Sequence, residues 1–277
     1  MKSLLAACLV PLLLGGCALR QIAVDRAADV IASGGGTYAN DDDPELIRAA
    51  APFSLKLTES LLAETPQHRA LLLAAARGFT QYAYAFVQQE ADEIEERDVA
   101  AAVVLQERAR RLYRRARDYG LRGLALAPDD VGLLYWTAAS WASFIAFSKS
   151  DPEALADLPA VEKMIDRALE LEEGYERGAI HTFLISYEMV RQGAKGDPAE
   201  RARRHFVRAV EISGGADAAP FVALAEAVCV PAQRRAEFDA LLERALGVEA
   251  SDNRLANLVM QRRARWLRSR ADRLFTD

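Results

Sequence analysis

Cysteine and histidine are scarce in this 277-residue chain, and each scarcity excludes a class of protein. Two of the three cysteines lie within the first 17 residues, which leaves Cys229 without a partner for an internal disulfide. The three histidines, His68, His181 and His205, show no short metal-ligand spacing such as two histidines one helical turn apart. The sequence therefore predicts neither a disulfide-stapled scaffold nor a metal centre.

Catalytic signatures and long apolar runs are also missing. No Gly-x-Ser-x-Gly elbow, phosphate-cradling glycine loop or dinucleotide fingerprint occurs, and Cys229 has no local catalytic signature. We therefore expect no enzyme activity and no cofactor. No apolar run beyond residue 16 reaches the 18 residues of a membrane-spanning helix. The net charge of −5 argues against nucleic acid as the main partner.

The amino terminus carries the most specific signal in the chain. Lys2 precedes an apolar run over 4–14, and Leu14-Gly15-Gly16-Cys17 has the form of a bacterial lipoprotein cleavage site. Cleavage before Cys17 would leave a lipid-anchored, periplasm-facing body. Because Ala18 and not aspartate follows the cysteine, the enterobacterial sorting rule favours the outer membrane. The alternative is an ordinary secretory signal in which Cys17 is incidental.

Apolar residues recur at spacings of three and four along nearly the whole chain, which predicts an all-α protein. Asp43-Pro44 is typical of a cap followed by a first helical residue, and this helix should run to about Glu64. We expect a signal peptide over 1–16, a tether helix and linker over 17–43 stopped by glycines 34–36, and a helical domain over 44–277. Further breaks cut that domain into roughly ten helices. They fall at residues 65–66, 127–129, 150–152, 196–198, 214–215 and 230–231.

The second helix of each expected pair carries a repeating pattern of small and large residues. The small positions are Gly123, Ala168, Ala209 and Ala245, which are 45, 41 and 36 residues apart. Such positions let neighbouring helices approach closely in tetratricopeptide repeats, whose usual period is about 34 residues. The pattern predicts a right-handed solenoid of helical hairpins with degenerate tetratricopeptide-like repeats. A helical bundle without repeats is the alternative.

Three charged segments allow more than one interpretation. Residues 40–43 could hold calcium, but their spacing favours capping of the helix that follows. The acidic run over 90–98 is most simply a solvated corner between helices. The arginine-rich last helix would cap the open end of a solenoid, or contact a membrane surface or an acidic partner. Only five of the 35 basic residues are lysine, a bias that we attribute to genome composition.

Aromatic residues on the first helix of each pair are the candidates for a ligand-binding surface. First helices line the concave face of this repeat class, and tyrosine and tryptophan offer an apolar body with one polar handle. Most large residues at helical spacing are simply core. The candidates are Phe79, Tyr82, Phe86, Trp136, Trp141, Phe144 and Tyr187.

Several blocks of the sequence resemble the T component associated with TRAP transporters. The first spans Tyr38 to Arg48, and it is followed by similar segments along the mature chain. These segments are Ala51 to Lys56, Glu59 to Leu62, Gln81 to Val87, Arg115 to Gly120, Tyr135 to Ala138, Gly178 to His181 and Arg263 to Leu267. The resemblance implies a periplasmic lipoprotein with tetratricopeptide-like repeats. It carries no catalytic residue over to this chain.

The resemblance also implies a partner, the TRAP solute-binding P component, and the passing or retention of a hydrophobic or amphipathic solute. The first functional hypothesis is therefore an accessory transport protein held at the membrane through Cys17. The second is a repeat scaffold for envelope or outer-membrane assembly. Self-association into a homo-oligomer is left open by the sequence.

Overall fold

The fold is described from a computed structural model that covers residue 26 and residues 28–31, 35–249 and 253–276. Within these residues the chain is helical, with no β-strand. The helices are α1 Gly35–Ala39, α2 Pro44–Glu64, α3 Arg69–Tyr82, α4 Gln89–Ile94, α5 Val99–Leu124, α6 Val131–Ala146, α7 Pro152–Ala156, α8 Leu158–Leu171, α9 Tyr175–Tyr187, α10 Pro198–Ser213, α11 Ala219–Leu224, α12 Arg235–Leu246, α13 Arg254–Ser269 and α14 Ala271–Leu274. The all-α prediction is confirmed.

Two π-helical segments interrupt this pattern. Ala83–Gln88 joins α3 to α4, and Ala225–Cys229 continues α11. A π-helical turn accommodates an extra residue in a helix, and such turns occur frequently at functional sites. Both segments lie near the carboxyl end of a first helix of a pair.

Aspartate caps set several helix starts. The Asp43 carboxylate accepts hydrogen bonds from the amides of Glu45 and Leu46 and so satisfies two of the free N–H groups of α2. Asp151 caps α7 by accepting from the amides of Glu153 and Ala154, and Asp197 caps α10 by accepting from the amide of Ala199; both helices begin with proline. These caps explain why the breaks expected before Pro44, Pro152 and Pro198 are observed. The helix stop expected at glycines 34–36 lies partly outside the described residues, and α1 begins at Gly35.

The long helices pack in overlapping triplets. The first helix of a pair contacts its own second helix and the first helix of the next pair, as α3 contacts both α5 and α6. The same relation joins α6 to α8 and α9, and then α9 to α10 and α11. At the end of the series, α11 contacts α12 and α13. Neighbouring helices in the sequence are therefore neighbours in space.

Small residues allow the closest of these approaches. A Cβ atom on Gly120 of α5 would lie 2.1 Å from Thr137 Oγ1 of α6, and one on Gly123 would lie 2.5 Å from a Leu133 methyl group. Either distance is too short for real atoms, so the two helices need glycine here to keep their spacing. The small positions Ala168, Ala209 and Ala245 of the second helices are fully buried.

The last long helix returns to the start of the domain. Arg263 of α13 is 8% exposed; its Nη1 donates to Asp92 Oδ2 at 2.6 Å, and its other nitrogens bind Glu226. Arg262 binds Glu93 with both ends of its guanidinium, at 2.6 and 2.8 Å. The pairs with Asp92 and Glu93 join residues about 170 positions apart. Helix α13 also packs on α1 and α2, so the two ends of the domain contact each other.

This closure corrects the sequence-based interpretation of the acidic run over 90–98. Asp92 and Glu93 bind α13, and Glu96 binds both Arg270 and Arg273. The run is therefore a docking surface for the carboxyl-terminal helices of the same chain. The expectation of a solvated corner is wrong for Asp92 and Glu93, which are partly buried, whereas Glu96 is exposed. The two segments are far apart in sequence, which is why their pattern alone did not pair them.

No helix among the described residues is long and apolar enough to span a bilayer. The few described residues before α1 already contact the domain. Ala28 is fully buried, and Asp29 lies 3.3 Å from His68 at the start of α3.

Loss of the buried arginine should destabilise the domain strongly. We expect Arg263→Ala to lower the free energy of unfolding by about 3–5 kcal/mol, because it leaves the carboxylates of Asp92 and Glu226 without their cation. Substitution of the exposed Arg265 by alanine on the same helix should change it by less than about 0.5 kcal/mol. Urea denaturation followed by circular dichroism measures both. Equal effects of the two substitutions would show that the closure contributes little.

Candidate functional site

The seven aromatic candidates are mostly interior residues. Phe79, Tyr82, Phe86, Trp136, Phe144 and Tyr187 are between 2% and 8% exposed, and Trp141 is partly buried. A ligand-lining role for them stays a prediction, since burial alone is equally typical of core residues.

Arginine side chains cover most of these rings. A guanidinium lies 5.0–6.0 Å from each ring centroid, the range of a favourable cation–π contact. The pairs are Arg48 with Phe86, Arg77 with Trp136, Arg108 with Tyr82, Arg110 and Arg117 with Phe144, Arg115 with Phe79, Arg117 with Trp141, and Arg191 with Tyr187. Arginine side chains thus shield the aromatic rings of the first helices, and such side chains keep their charged ends towards solvent.

The direction of these contacts separates the candidates into two groups. Phe79 and Tyr82 of α3 contact α5, and Phe144 and Trp141 of α6 also contact α5. Tyr187 of α9 donates to Glu162 of α8. These rings, together with Phe86 beneath Arg48 of α2, fill the space between first and second helices. Trp136 differs, because its covering residue, Arg77, belongs to the neighbouring first helix α3.

Around Trp136 the structure assembles a compact aromatic cluster. The Tyr135 ring meets Trp136 edge-on at 4.9 Å and the Tyr175 ring at 5.6 Å. Tyr175 donates its hydroxyl proton to Glu176 at 3.1 Å, and Glu176 in turn pairs with Arg77 at 3.3 Å. We call Arg77, Tyr135, Trp136, Tyr175 and Glu176 the Trp136 cluster. It joins the first helices α3, α6 and α9.

Burial keeps the tyrosines of the Trp136 cluster protonated. Desolvation raises the pKa of both Tyr135 and Tyr175, and the nearby Glu176 carboxylate raises them further. Both hydroxyl groups are therefore hydrogen-bond donors at any physiological pH.

The backbone at the start of α9 is strained next to this cluster. Glu176, Arg177 and Gly178 have successive φ values of 41°, 60° and 89°, so three residues in a row are left-handed. Such a conformation costs about 1–2 kcal/mol for each residue other than glycine. Arg177 stabilises the turn by donating to Asp217 at 3.3 Å and to the Ser213 carbonyl at 3.2 Å. Sequence patterns gave no sign of this turn, because neither Glu176 nor Arg177 is a typical left-handed residue.

Two of the histidines lie together, although they are 24 residues apart in sequence. His181 Nδ1 is 2.8 Å from His205 Nδ1, and His181 Nε2 is 3.1 Å from Glu173 Oε1. Burial and the neighbouring His181 lower the pKa of His205 to about 4, and burial lowers the pKa of His181. Within the described part of the chain, no three histidine, cysteine or carboxylate side chains are arranged as metal ligands.

The remaining sequence candidates are placed as follows. Cys229 is a buried free thiol that packs as a small hydrophobic residue. Burial raises the pKa of this thiol to about 11. Asp43 is occupied in capping α2, and Asp41 accepts from the Asp43 amide at 2.8 Å, so both carboxylates serve the helix start. Cys17, the expected lipidation site, lies outside the described residues.

Comparison with known proteins places this chain in a family. A family model described as TRAP transporter T-component matches residues 40–130 and 125–275, which is nearly all of the described chain. A curated protein of Treponema pallidum (strain Nichols), named as an uncharacterized protein, is 29% identical over 267 residues, with 87% of this chain and 83% of that protein covered.

The histidine pair makes a testable contribution to pH dependence. The pKa of His205 lies below the value of about 6.5 expected for the unfolded chain, so the unfolded state binds more protons as the pH falls from about 6.5 towards 4. Stability should therefore decrease in this window. We expect the free energy of unfolding to fall by about 1 kcal/mol between pH 7.5 and pH 5 because of the pair. This is roughly half of what the full pKa shift of His205 would give over the same interval, because His205 is partly solvated.

Thermal unfolding at pH 7.5 and pH 5 tests this expectation. The variant His205→Gln should lose less stability across the interval than the wild type. Val207→Gln, at an exposed position two residues further along α10, should behave like the wild type. An unchanged pH response in His205→Gln would refute the assignment.

Proposed function

Because the chain belongs to the TRAP transporter T-component family, we propose that it is a periplasm-facing accessory protein that docks the solute-binding P component of such a transporter. The observation that carries this proposal is the family match, which extends from residue 40 to residue 275 and so includes every long helix. The absence of catalytic sequence motifs agrees with an accessory role. No residue pattern in the chain favours the alternative of an envelope-assembly scaffold over this one.

We further propose that helices α3 to α12 are degenerate tetratricopeptide-like repeats. The triplet packing supports this proposal, because each first helix contacts its own second helix and the next first helix. The close approach at Gly120 and Gly123 and the buried alanines of the later second helices support the same arrangement. In such repeats the first helices share one face, which suits them to bind a ligand or a peptide.

The anchoring proposal is that residues 1–16 are removed and that Cys17 carries the lipid, with residues 17–43 as a tether to the helical domain. Ala28, which is already buried in the domain, is eleven residues further along the chain than Cys17. At about 3.5 Å per extended residue, they span at most about 38 Å. An anchored body would therefore be held close to the membrane surface, facing the periplasm in which a soluble partner moves.

An exposed apolar stripe on α2 is our proposed docking surface for the P component. Leu46, Phe53 and Leu57 are 57%, 72% and 38% exposed, and their spacings of seven and four place them on one face of the helix. Contiguous exposed apolar side chains on a folded protein are typical of interaction sites. We call these three residues the α2 stripe.

The ligand proposal follows from the aromatic residues of the first helices. A hydrophobic or amphipathic small solute would bind against them, and the Trp136 cluster is the best placed of the candidates because it lies between first helices.

Docking can be measured directly with the TRAP solute-binding protein of the same organism. We expect the mature chain to bind it in isothermal titration calorimetry and Phe53→Ser to weaken binding by about tenfold, as for loss of an aromatic anchor at an interface. Val190→Ser is the matched control, because Val190 is 67% exposed and lies in the turn after α9, away from α2 in the sequence. No binding by the wild type would exclude the docking proposal. A change in self-association in Phe53→Ser, without a change in partner affinity, would make the α2 stripe a contact between copies of this chain.

The anchor has its own test. Cys17→Ser should abolish incorporation of labelled palmitate and move the protein from the membrane fraction to the soluble periplasmic fraction, because the acylated thiol is lost. Cys229→Ser, which changes a buried thiol, should leave both measurements unchanged. A Cys17→Ser protein that remains in the membrane fraction would contradict a lipid anchor at this residue.

A further inference from the structure

We propose that the outward-facing side of α5 binds an anionic lipid surface, with its arginines on the phosphate groups and its exposed valines in the interfacial layer. The residues at the centre of this side are Val104, Arg111, Arg114, Arg115 and Arg122, and we call them the α5 outer face. The inference rests on the proposed membrane anchor and adds a second contact between the domain and the bilayer. It is supported by the charge of the helix, the exposure of its side chains and the position of the tether.

Helix α5 is strongly basic in a chain that is acidic as a whole. Its 26 residues include seven arginines and two carboxylates, and so have a formal charge of +5, whereas the whole chain has −5. Arg110 binds Glu107 through two nitrogens at 2.7 and 2.9 Å, and Arg117 binds Asp118 at 2.8 Å. Arginines of the helix itself therefore compensate both of its carboxylates, and an excess of positive charge remains.

The α5 outer face follows helical spacing. Val104, Arg111, Arg115 and Arg122 are seven, four and seven residues apart, which places them along one side of the helix, and Arg114 lies beside them. The side chains of Arg111 and Arg115 are 55% and 48% exposed, and Arg114 and Arg122 are exposed as well. At 1.5 Å per residue, this row of side chains extends over about 27 Å.

The chain supplies few acidic partners to these arginines. Arg111 and Arg115 each pair with one carboxylate, at 3.3 and 3.5 Å. Within the described part of the chain Arg114 has no carboxylate partner, and Arg122 donates to a backbone carbonyl at 2.9 Å. A guanidinium has five N–H donors and binds phosphate through two of them at once. The α5 outer face therefore has unused capacity for phosphate oxygens.

Helix α13 is also rich in arginine, but much of its charge is used within the chain. Arg262 and Arg263 bind Glu93 and Asp92 of the acidic run over 90–98. Both of these arginines are at least partly buried by this contact. The two basic helices therefore differ in function, since α13 closes the domain and α5 presents its arginines to the outside.

Exposed apolar side chains lie at the amino-terminal end of the α5 outer face. Val103 and Val104 are 54% and 67% exposed, and they precede the first arginine of the helix by one turn. Arginines and exposed apolar side chains on the same side of a helix are typical of helices that lie in the plane of a membrane interface. A headgroup layer also offers phosphate at any position along its plane, so it suits an extended row of arginines without a pocket.

The tether enters the domain beside the carboxyl end of this helix. Asp29 lies 3.3 Å from His68. Two residues before His68, the Pro66 carbonyl accepts a hydrogen bond from Arg122, which lies in the last turn of α5. Asp29 is twelve residues further along the chain than Cys17, a distance of at most about 42 Å, and α5 is about 39 Å long. A bilayer that holds the lipid of Cys17 can therefore reach the whole α5 outer face.

Vesicle sedimentation with the unacylated chain tests this face separately from the anchor. The mature chain from residue 17 with Cys17→Ser is mixed with vesicles of phosphatidylglycerol and phosphatidylcholine in equal parts, or of phosphatidylcholine alone. We expect it to bind the anionic vesicles at least about tenfold tighter, because only these vesicles attract the arginines. Raising NaCl to about 0.3 M should remove most of this preference, because salt screens the attraction.

Two double substitutions with the same change of charge locate the contact. Arg111→Gln with Arg114→Gln should weaken binding to the anionic vesicles by at least about tenfold, since both arginines are exposed on the α5 outer face. Arg265→Gln with Arg268→Gln is the matched control, because both of these residues are exposed on α13. It should change the affinity by less than about twofold. Circular dichroism checks that each variant is folded.

A fluorescent label reports whether the valines enter the lipid. Val104→Cys, labelled with an environment-sensitive dye, should shift its emission to shorter wavelength when anionic vesicles are added, because the dye leaves water. Val190→Cys, at another exposed position, should show no shift. Cys229 is buried and should not take up the label.

Three outcomes would overturn the proposal. They are no binding of anionic vesicles, equal binding of anionic and neutral vesicles, and equal weakening by the two double substitutions. If vesicles are not bound and Arg111→Gln with Arg114→Gln weakens docking of the solute-binding protein, the face contacts an acidic surface of that protein and not lipid.

Failure of this inference can be distinguished from failure of the proposed function. Loss of vesicle binding together with normal palmitate incorporation and normal docking would refute the lipid contact of α5 and leave the anchored accessory protein standing. Selective binding of anionic vesicles by a chain whose Cys17 is not acylated in cells would retain the α5 outer face and refute the anchor.

Discussion

The position of the last long helix depends on one buried ion pair network. Arg263 joins α13 to Asp92 of α4 and to Glu226 of the second π-helical segment, and so links the two ends of the domain. Burying a guanidinium is costly, and it is tolerated here because two carboxylates compensate the charge. Burial alone would raise the pKa of Asp92, while Arg263 opposes that shift. The closure therefore brings together three charged groups from α4, α13 and the second π-helical segment.

Arginine has a second structural role, in covering the aromatic residues of the first helices. Lysine could supply charge at these positions but not the planar, weakly hydrated group that stacks over a ring. Arg117 shows the consequence, since it lies over both Trp141 and Phe144 while it pairs with Asp118. The preference for arginine over lysine, which composition alone suggested to be a matter of the genome, thus has a function in the packing of this fold.

Local signals predicted the local structure well. Asp43-Pro44 located the start of α2, and the proline and glycine breaks located most helix boundaries, because caps and breaks act over a few residues. Contacts between distant segments were not predictable from pattern. The acidic run over 90–98 was interpreted as a solvated corner and the arginine-rich last helix as a solenoid cap, since only the fold brings the two segments together. The same reason hid the pairing of His181 with His205.

For the candidate site, sequence identified residue types but not their environments. Seven aromatic residues shared one signal, and only the structure distinguishes Trp136 from the other six. The other six pack against second helices or contact arginines and carboxylates of those helices and loops, and these contacts account for their burial. Asp157 does so for Trp141, and Glu162 for Tyr187.

A folded sequence normally agrees with its structure at every level, and local disagreement is concentrated at functional sites. Strain at Glu176 and Arg177, the unbonded indole N–H of Trp136 and the half-satisfied Arg77 are three disagreements of different kind within one cluster. Each could be removed by an ordinary substitution: a glycine in the turn, a phenylalanine for the tryptophan, or a second carboxylate beside the arginine. Their coincidence between three first helices marks this cluster as the place where the chain departs furthest from local preference.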